Sequence, residues 1–178
     1  NWHSVGTELS SGFHALCVDL RNHGMSPFRM PHSYDGMISD VLSLIESQGI
    51  GRCHLLGHSM GGKLAMKISC QCPEIVNKLV VVDIAPKMYP DTHDNNYEAM
   101  RDLDLPSLRT RKEADEILES KIPDWAKRQF LLTNLRRDEE GEGFRWSVNL
   151  PALEANQREI ESSPLLDSDR FAGPTLFI

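Results

Sequence analysis

Along residues 1–85, short apolar runs alternate with stretches whose apolar side chains recur every three or four positions. Phe13 to Leu20 reads as a buried strand closing on Asp19, and Gly24 and Pro27 then break regular structure in the loop Arg21 to Pro27. Ser33 stands where a helix would be capped. Met37, Val41, Leu44 and Ile45 fall on one face of that helix, and Gly49 ends it. A strand at Cys53 to Leu56 and a glycine-bracketed turn follow. Next comes a helix with Leu64, Ala65 and Ile68 facing inward, stopped by Pro73. Leu79 to Val82 makes a third strand, ending at Asp83. Strands alternating with helices in short connections imply parallel pairing, so the pattern predicts an α/β fold with a mostly parallel sheet and helices on both faces.

From residue 86 to 170 the pattern turns helical, with segments expected at roughly 92–103, 110–120, 123–135 and 150–161. A turn at Arg136 to Gly143 and a short strand at Phe144 to Val148 interrupt them. Pro174 to Ile178 restores an apolar, strand-like run. The expected organisation is therefore part of a core over 1–85, a helical cap insertion over 86–170, and a return strand of the core over 171–178. Met88, Met100, Leu103, Trp125, Phe130, Leu131 and Trp146 would supply mostly the insertion's own core.

Composition narrows the function classes. The chain has 178 residues, 40% of them hydrophobic and 25% charged, as in an ordinary globular domain or part of one. Nineteen basic and 26 acidic side chains leave a formal net charge of −7. Residues 84–170 hold 19 of the acidic and 13 of the basic groups, which disfavours a phosphate-neutralising surface and hence nucleic-acid binding. Cys17, Cys53, Cys70 and Cys72 are too few and too scattered for a disulfide framework. They read as free thiols of a reducing, cytoplasmic compartment rather than metal ligands. The longest apolar runs, such as Leu79 to Val82, fall far short of the ~20 residues that a membrane span requires. No metal or cofactor is expected.

The chemistry concentrates at Gly57-His58-Ser59-Met60-Gly61-Gly62. It fits G-x-S-x-G and lies between a strand and a helix, as a nucleophile elbow does. The turn is so tight that the glycines at its two ends must admit neighbouring backbone without a Cβ, lifting the Ser59 hydroxyl above the sheet edge. Ser59 is the candidate nucleophile. The backbone N–H of Met60, at the helix N-terminus, would face the oxyanion of an acyl-transfer intermediate. Asp83, at the carboxyl end of the next strand, is the candidate acid. Gly57, Gly62 and Lys63 also fit the start of a phosphate-binding loop, but Leu64 stands where Ser or Thr would ligate magnesium. Lys63 therefore reads as a solvated side chain on the first helical turn. His54 and His58 straddle a strand and a turn, which disfavours a zinc pair. Of the seven histidines only His93 follows Ser59, in a polar run, and it reads as a surface residue. The base is missing.

These motifs resemble the α/β-hydrolase serine esterases of the YbfF type and their relative, abhydrolase domain-containing protein eleven. The likeness rests on Asn1-Trp2, Val18 to Pro27, Gly57 to Lys63 and Val82 to Pro86. It continues through Arg128 to Leu135, Phe144 to Leu150 and Gly173 to Phe177. The resemblance implies the α/β-hydrolase fold and cofactor-free hydrolysis of small acyl esters or thioesters through an acyl-enzyme. Ser59 would be nucleophile, Met60 an oxyanion donor and Asp83 the acid, since Pro151 stands where some relatives carry another Asp. It also implies a second oxyanion donor before Asn1 and a catalytic His beyond Ile178. The chain is accordingly expected to be a piece truncated at both ends and inactive by itself. The Arg21 to Gly24 loop would frame the elbow, and the helical insertion would cap Ser59. Alternatives are a non-catalytic binding module of the same fold, or a cofactor-free perhydrolase or carbon–carbon hydrolase. No partner protein is implied.

Overall fold

The computed structural model describes residues 2–89, 94–139 and 141–178, with no account of the side chains of Asp94 and Asn95. In chain order the elements are α1 (His3–Leu9), α2 (Tyr34–Ser47), β1 (Cys53–His58), α3 (Met60–Gln71) and β2 (Val76–Val82). There follow α4 (Asp94–Arg101), α5 (Arg111–Glu119), α6 (Trp125–Leu132), β3 (Leu135–Arg137), β4 (Phe144–Trp146), α7 (Leu150–Ala155), α8 (Gln157–Glu161) and β5 (Thr175–Phe177). The chain divides into two compact units, Asn1–Phe28 with His93–Pro151, and Arg29–Thr92 with Ala152–Ile178.

The second unit holds a parallel sheet in the order β1-β2-β5. A parallel strand needs a crossover, and α3 supplies the one between β1 and β2. Its inner face packs Ala65 and Met66 onto Leu79 and Val81, with Leu55, Ile84, Leu165 and Phe171 closing the rim. On β1 the alternate residues His54, Leu56 and His58 are exposed. α2 starts as its sequence dictates, because Ser33 Oγ accepts from the Gly36 N–H at 3.2 Å. It ends at Gly49, whose φ of 64° is left-handed backbone. The N–H groups of Gly49 and Ile50 bond back to Glu46 and Ile45, which closes the last carbonyls of the helix. Met37 is fully buried on the predicted face, whereas Val41, Leu44 and Ile45 are half-buried, and Tyr34 and Ile38 complete the contact.

In the first unit, α4, α5 and α6 enclose Ala99, Met100, Leu103, Ala114, Leu118 and Leu132. The hairpin β3-β4 adds Leu135, Phe144 and Trp146. Of the expected core residues here, Met100, Leu103 and Trp146 are buried, with Trp146 Nε1–H donating to Met100 O at 3.1 Å. Trp125 and Phe130 are exposed. Arg128 is buried and spends its donors on Asp115, on the carbonyls of Ile122 and Pro123, and on Glu119.

The segment Phe13 to Leu20 is not the buried strand that its apolar content predicts. No ladder pairs it among the described residues, and Phe13, Leu16 and Val18 are exposed. Apolar alternation makes a strand only where a neighbour accepts its hydrogen bonds. Among the described residues no helix is long and apolar enough to cross a membrane.

Candidate active site

The turn between β1 and α3 is as tight as its glycines require. A Cβ on Gly57 would lie 2.1 Å from the Gly61 carbonyl oxygen and 2.7 Å from the Gly62 nitrogen. One on Gly62 would meet Ile84 Cγ2 at 2.6 Å and Gly57 O at 3.1 Å, while one on Gly61 would meet nothing within 4 Å. Crowding thus falls on Gly57 and Gly62 rather than on Gly61. Between them Ser59 takes φ 51° and ψ −122°, a conformation that costs a non-glycine residue about 1–3 kcal/mol. Surrounding bonds hold it there. Ser59 N–H donates to Val82 O at 3.1 Å, and Ser59 O accepts from the N–H groups of Gly62 and Lys63 at 2.9 and 3.1 Å. Met60 is the first residue of α3, so its N–H precedes the helix's internal bonding and stands at the positive end of its dipole. Ser59 and His58 are exposed, Met60 and Gly61 half-buried, Gly57 and Gly62 buried.

Register brings Asp83 beside this turn. His58 pairs with Val82 across the parallel ladder, so Ser59 and Asp83 are each the next residue at adjoining strand ends, where strands lie about 4.8 Å apart. Asp83 also has left-handed backbone, φ 53°, and its N–H donates to Ile178 O at 2.9 Å. Its side chain is 88% exposed, with Oδ2 3.7 Å from His58 Nε2. An exposed pair of that separation contributes little to stability. It does show the carboxylate within reach of an imidazole on the rim of the sheet. His93 lies outside the described residues.

Lys63 departs from its expectation as a solvated residue. It is buried, and Nζ donates to Ile160 O, Glu161 O and Ser162 O at 3.2, 2.8 and 2.6 Å. These are carbonyls at the C-terminal end of α8, where a cation is favoured. Burial pulls the ammonium below the usual lysine range, against the upward pull of Glu161. Nothing in local spacing signals this, since the acceptors are backbone atoms nearly a hundred residues away. An ammonium committed in this way is not a phosphate ligand, which removes what remained of the phosphate-loop reading. Lys67, one turn on, pairs with Asp169 Oδ2 at 2.8 Å, and that carboxylate also accepts the Leu166 N–H.

The loop at Arg21 to Gly24 belongs to the first unit and is fixed by residues 147–149. Asn22 is fully buried at φ 67°. Its Oδ1 accepts from Asn149 Nδ2 at 2.9 Å, its carbonyl accepts the Asn149 N–H, and the Gly24 N–H donates to Ser147 O. Burial lowers the His23 pKa, only partly offset by the bond to Arg21 O and by Asp19. The four cysteines are free thiols, and burial raises those of Cys53, Cys70 and Cys72. Among the described residues no group of three or more His, Cys, Asp or Glu is placed to hold a metal ion.

A strained serine on a strand–turn–helix elbow of a parallel sheet defines a class, and comparison with known proteins agrees. The profile of the alpha/beta hydrolase family matches residues 1–178, and the chain belongs to that family. Among named relatives, sn-1-specific diacylglycerol lipase ABHD11 of Danio rerio is 37% identical over 100% of this chain and 58% of its own length. ABHD11 of Mus musculus is 40% identical over 94% and 56%. A solved structure titled marine microorganism esterase superposes with a TM-score of 0.91 at 37% identity, over 99% of this chain and 70% of that one. The chain thus spans somewhat more than half the length of these two curated relatives.

Proposed function

We propose that the full-length protein is a carboxylic ester hydrolase in which Ser59 is the covalent nucleophile. The observation that carries this reading is the positive-φ serine at the β1–α3 elbow, level in register with Asp83 at the end of the adjacent parallel strand. In the reaction a histidine supplied from outside residues 1–178 takes the Ser59 proton as Oγ attacks the acyl carbon. Asp83 orients that imidazole and stabilises its cationic form. The Met60 N–H holds the oxyanion of the tetrahedral intermediate, which collapses to an acyl-enzyme and alcohol. Water, activated by the same base, then releases the acid. The substrates are acyl esters or thioesters, and the names of the relatives add glycerolipid esters to those worth testing.

The test uses the full-length protein with p-nitrophenyl butyrate, an acyl thioester and a diacylglycerol, alongside fluorophosphonate labelling. Ser59→Ala is expected to abolish the label and to lower turnover on the order of 10⁴-fold or more. A correctly folded full-length protein that takes no label would instead make the chain a non-catalytic binding module.

A further inference from the structure

Lys63 links the two halves of the candidate site. Its N–H bonds the Ser59 carbonyl, so its backbone belongs to the nucleophile turn. Its ammonium leaves that turn and gathers Ile160 O, Glu161 O and Ser162 O. Glu161 O accepts a second donor, the Tyr89 N–H at 3.0 Å. The Tyr89 ring lies 5.1 Å from Lys63 Nζ, centroid to nitrogen, and its Oη accepts the Ala85 N–H at 2.9 Å. Ser163 Oγ reaches Pro86 O at 3.4 Å. Ala85 and Pro86 are two and three residues beyond Asp83.

We propose that Lys63 is a positioning residue. Through Tyr89 and the carbonyls of residues 160–162 it fixes the loop carrying Asp83 relative to the turn carrying Ser59. The exposed Asp83 side chain has little packing of its own to hold it. The network supplies that constraint: a buried cation on convergent carbonyls resists displacement because moving it leaves charge and acceptors unsatisfied. This inference rests on the assignment of Ser59 as nucleophile and Asp83 as acid. Small errors in such a pair are costly, since misplacement by about 1 Å can lower a rate about a hundredfold.

The experiment compares Lys63→Met, Tyr89→Phe and Ser59→Ala in the full-length protein, with p-nitrophenyl butyrate kinetics across pH and circular dichroism. Lys63→Met is expected to lower kcat at least about tenfold at unchanged KM. The acid limb of its pH profile should move to lower pH, because a base whose carboxylate has drifted holds its proton less well. Tyr89→Phe leaves the ammonium and its carbonyls in place but frees the Ala85 N–H. It is expected to shift kcat in the same direction, about fivefold. A merely structural lysine would change the melting temperature but not the pH profile. If Lys63→Met does not fold, Tyr89→Phe decides. Folded variants with the parent kcat and pH profile overturn the positioning role. Activity surviving Ser59→Ala overturns the underlying assignment instead.

Discussion

Replacing Gly57 by alanine adds a single methyl group where the neighbours are all main chain. That methyl would sit 2.1 Å from Gly61 O, 2.4 Å from Gly61 C and 2.7 Å from Gly62 N, against a normal separation beyond 3.4 Å. A flexible side chain could swing aside, but these atoms form the first turn of α3, and moving them moves the Ser59 carbonyl's two hydrogen bonds. Overpacking a tight site costs about 1–3 kcal/mol, and rigid backbone puts this substitution at the top of that range, about 3 kcal/mol. For a domain of about 150–250 residues that corresponds to roughly 6–12 °C in melting temperature, and to less in a longer protein. Gly61→Ala is the matched control. Its Cβ meets nothing within 4 Å, and alanine gains up to about 1 kcal/mol of helix propensity over glycine. The assay is urea and thermal unfolding of the full-length protein, with fluorophosphonate labelling of Ser59 in parallel. Gly57→Ala is expected to lose stability and label together, and Gly61→Ala to keep stability. Equal melting temperature and labelling for Gly57→Ala and the parent would refute the steric argument.

Asn22→Ala should destabilise by about 3 kcal/mol in urea denaturation, because it combines left-handed strain with loss of the buried bond from Asn149 Nδ2. Asn22→Gly, which relieves the strain, should cost less; equal losses would show that the backbone conformation contributes nothing. Lys67, then the backbone bond from Leu166, holds Asp169 below the usual carboxylate range, so this contribution is complete above pH 3.8 and lost as pH falls through the native value. Asp169→Asn should flatten that part of the stability–pH curve, and an unchanged acid slope would dismiss the ion pair. Lys63 runs the opposite way from a typical lysine. With its native pKa depressed, mainly by burial, the unfolded chain holds more protons between that value and 10.5, and stability from this group rises with pH across that window. Lys63→Met should remove the rise in alkaline melting curves, and a persisting rise would assign it elsewhere.

The elements that positioned the site were legible wherever period and punctuation agreed. α2 was bounded by Ser33 and Gly49, α3 by the elbow and Pro73, and both caps and breaks work through local bonds visible in a short window. Phe13 to Leu20 was misread because its composition suits a strand while pairing depends on what lies alongside. Trp125 and Phe130 show the complementary limit, since helical spacing identifies a face but not whether anything covers it. Lys63 was beyond reach for a further reason. Its environment is made of carbonyls, which every residue type carries, so no side-chain pattern records it. Ser59 and Asp83 could be chosen by type and strand end, but their shared departure to positive φ appears only in the backbone.

That shared departure sets durability against reactivity. Both residues occupy dihedral angles where a glycine would rest more easily, and each keeps its side chain on the rim of the sheet. Drift toward Ser59→Gly or Asp83→Gly would relax the polypeptide, so a search for hardier variants by thermal selection alone would tend to discard the two groups proposed to do the chemistry.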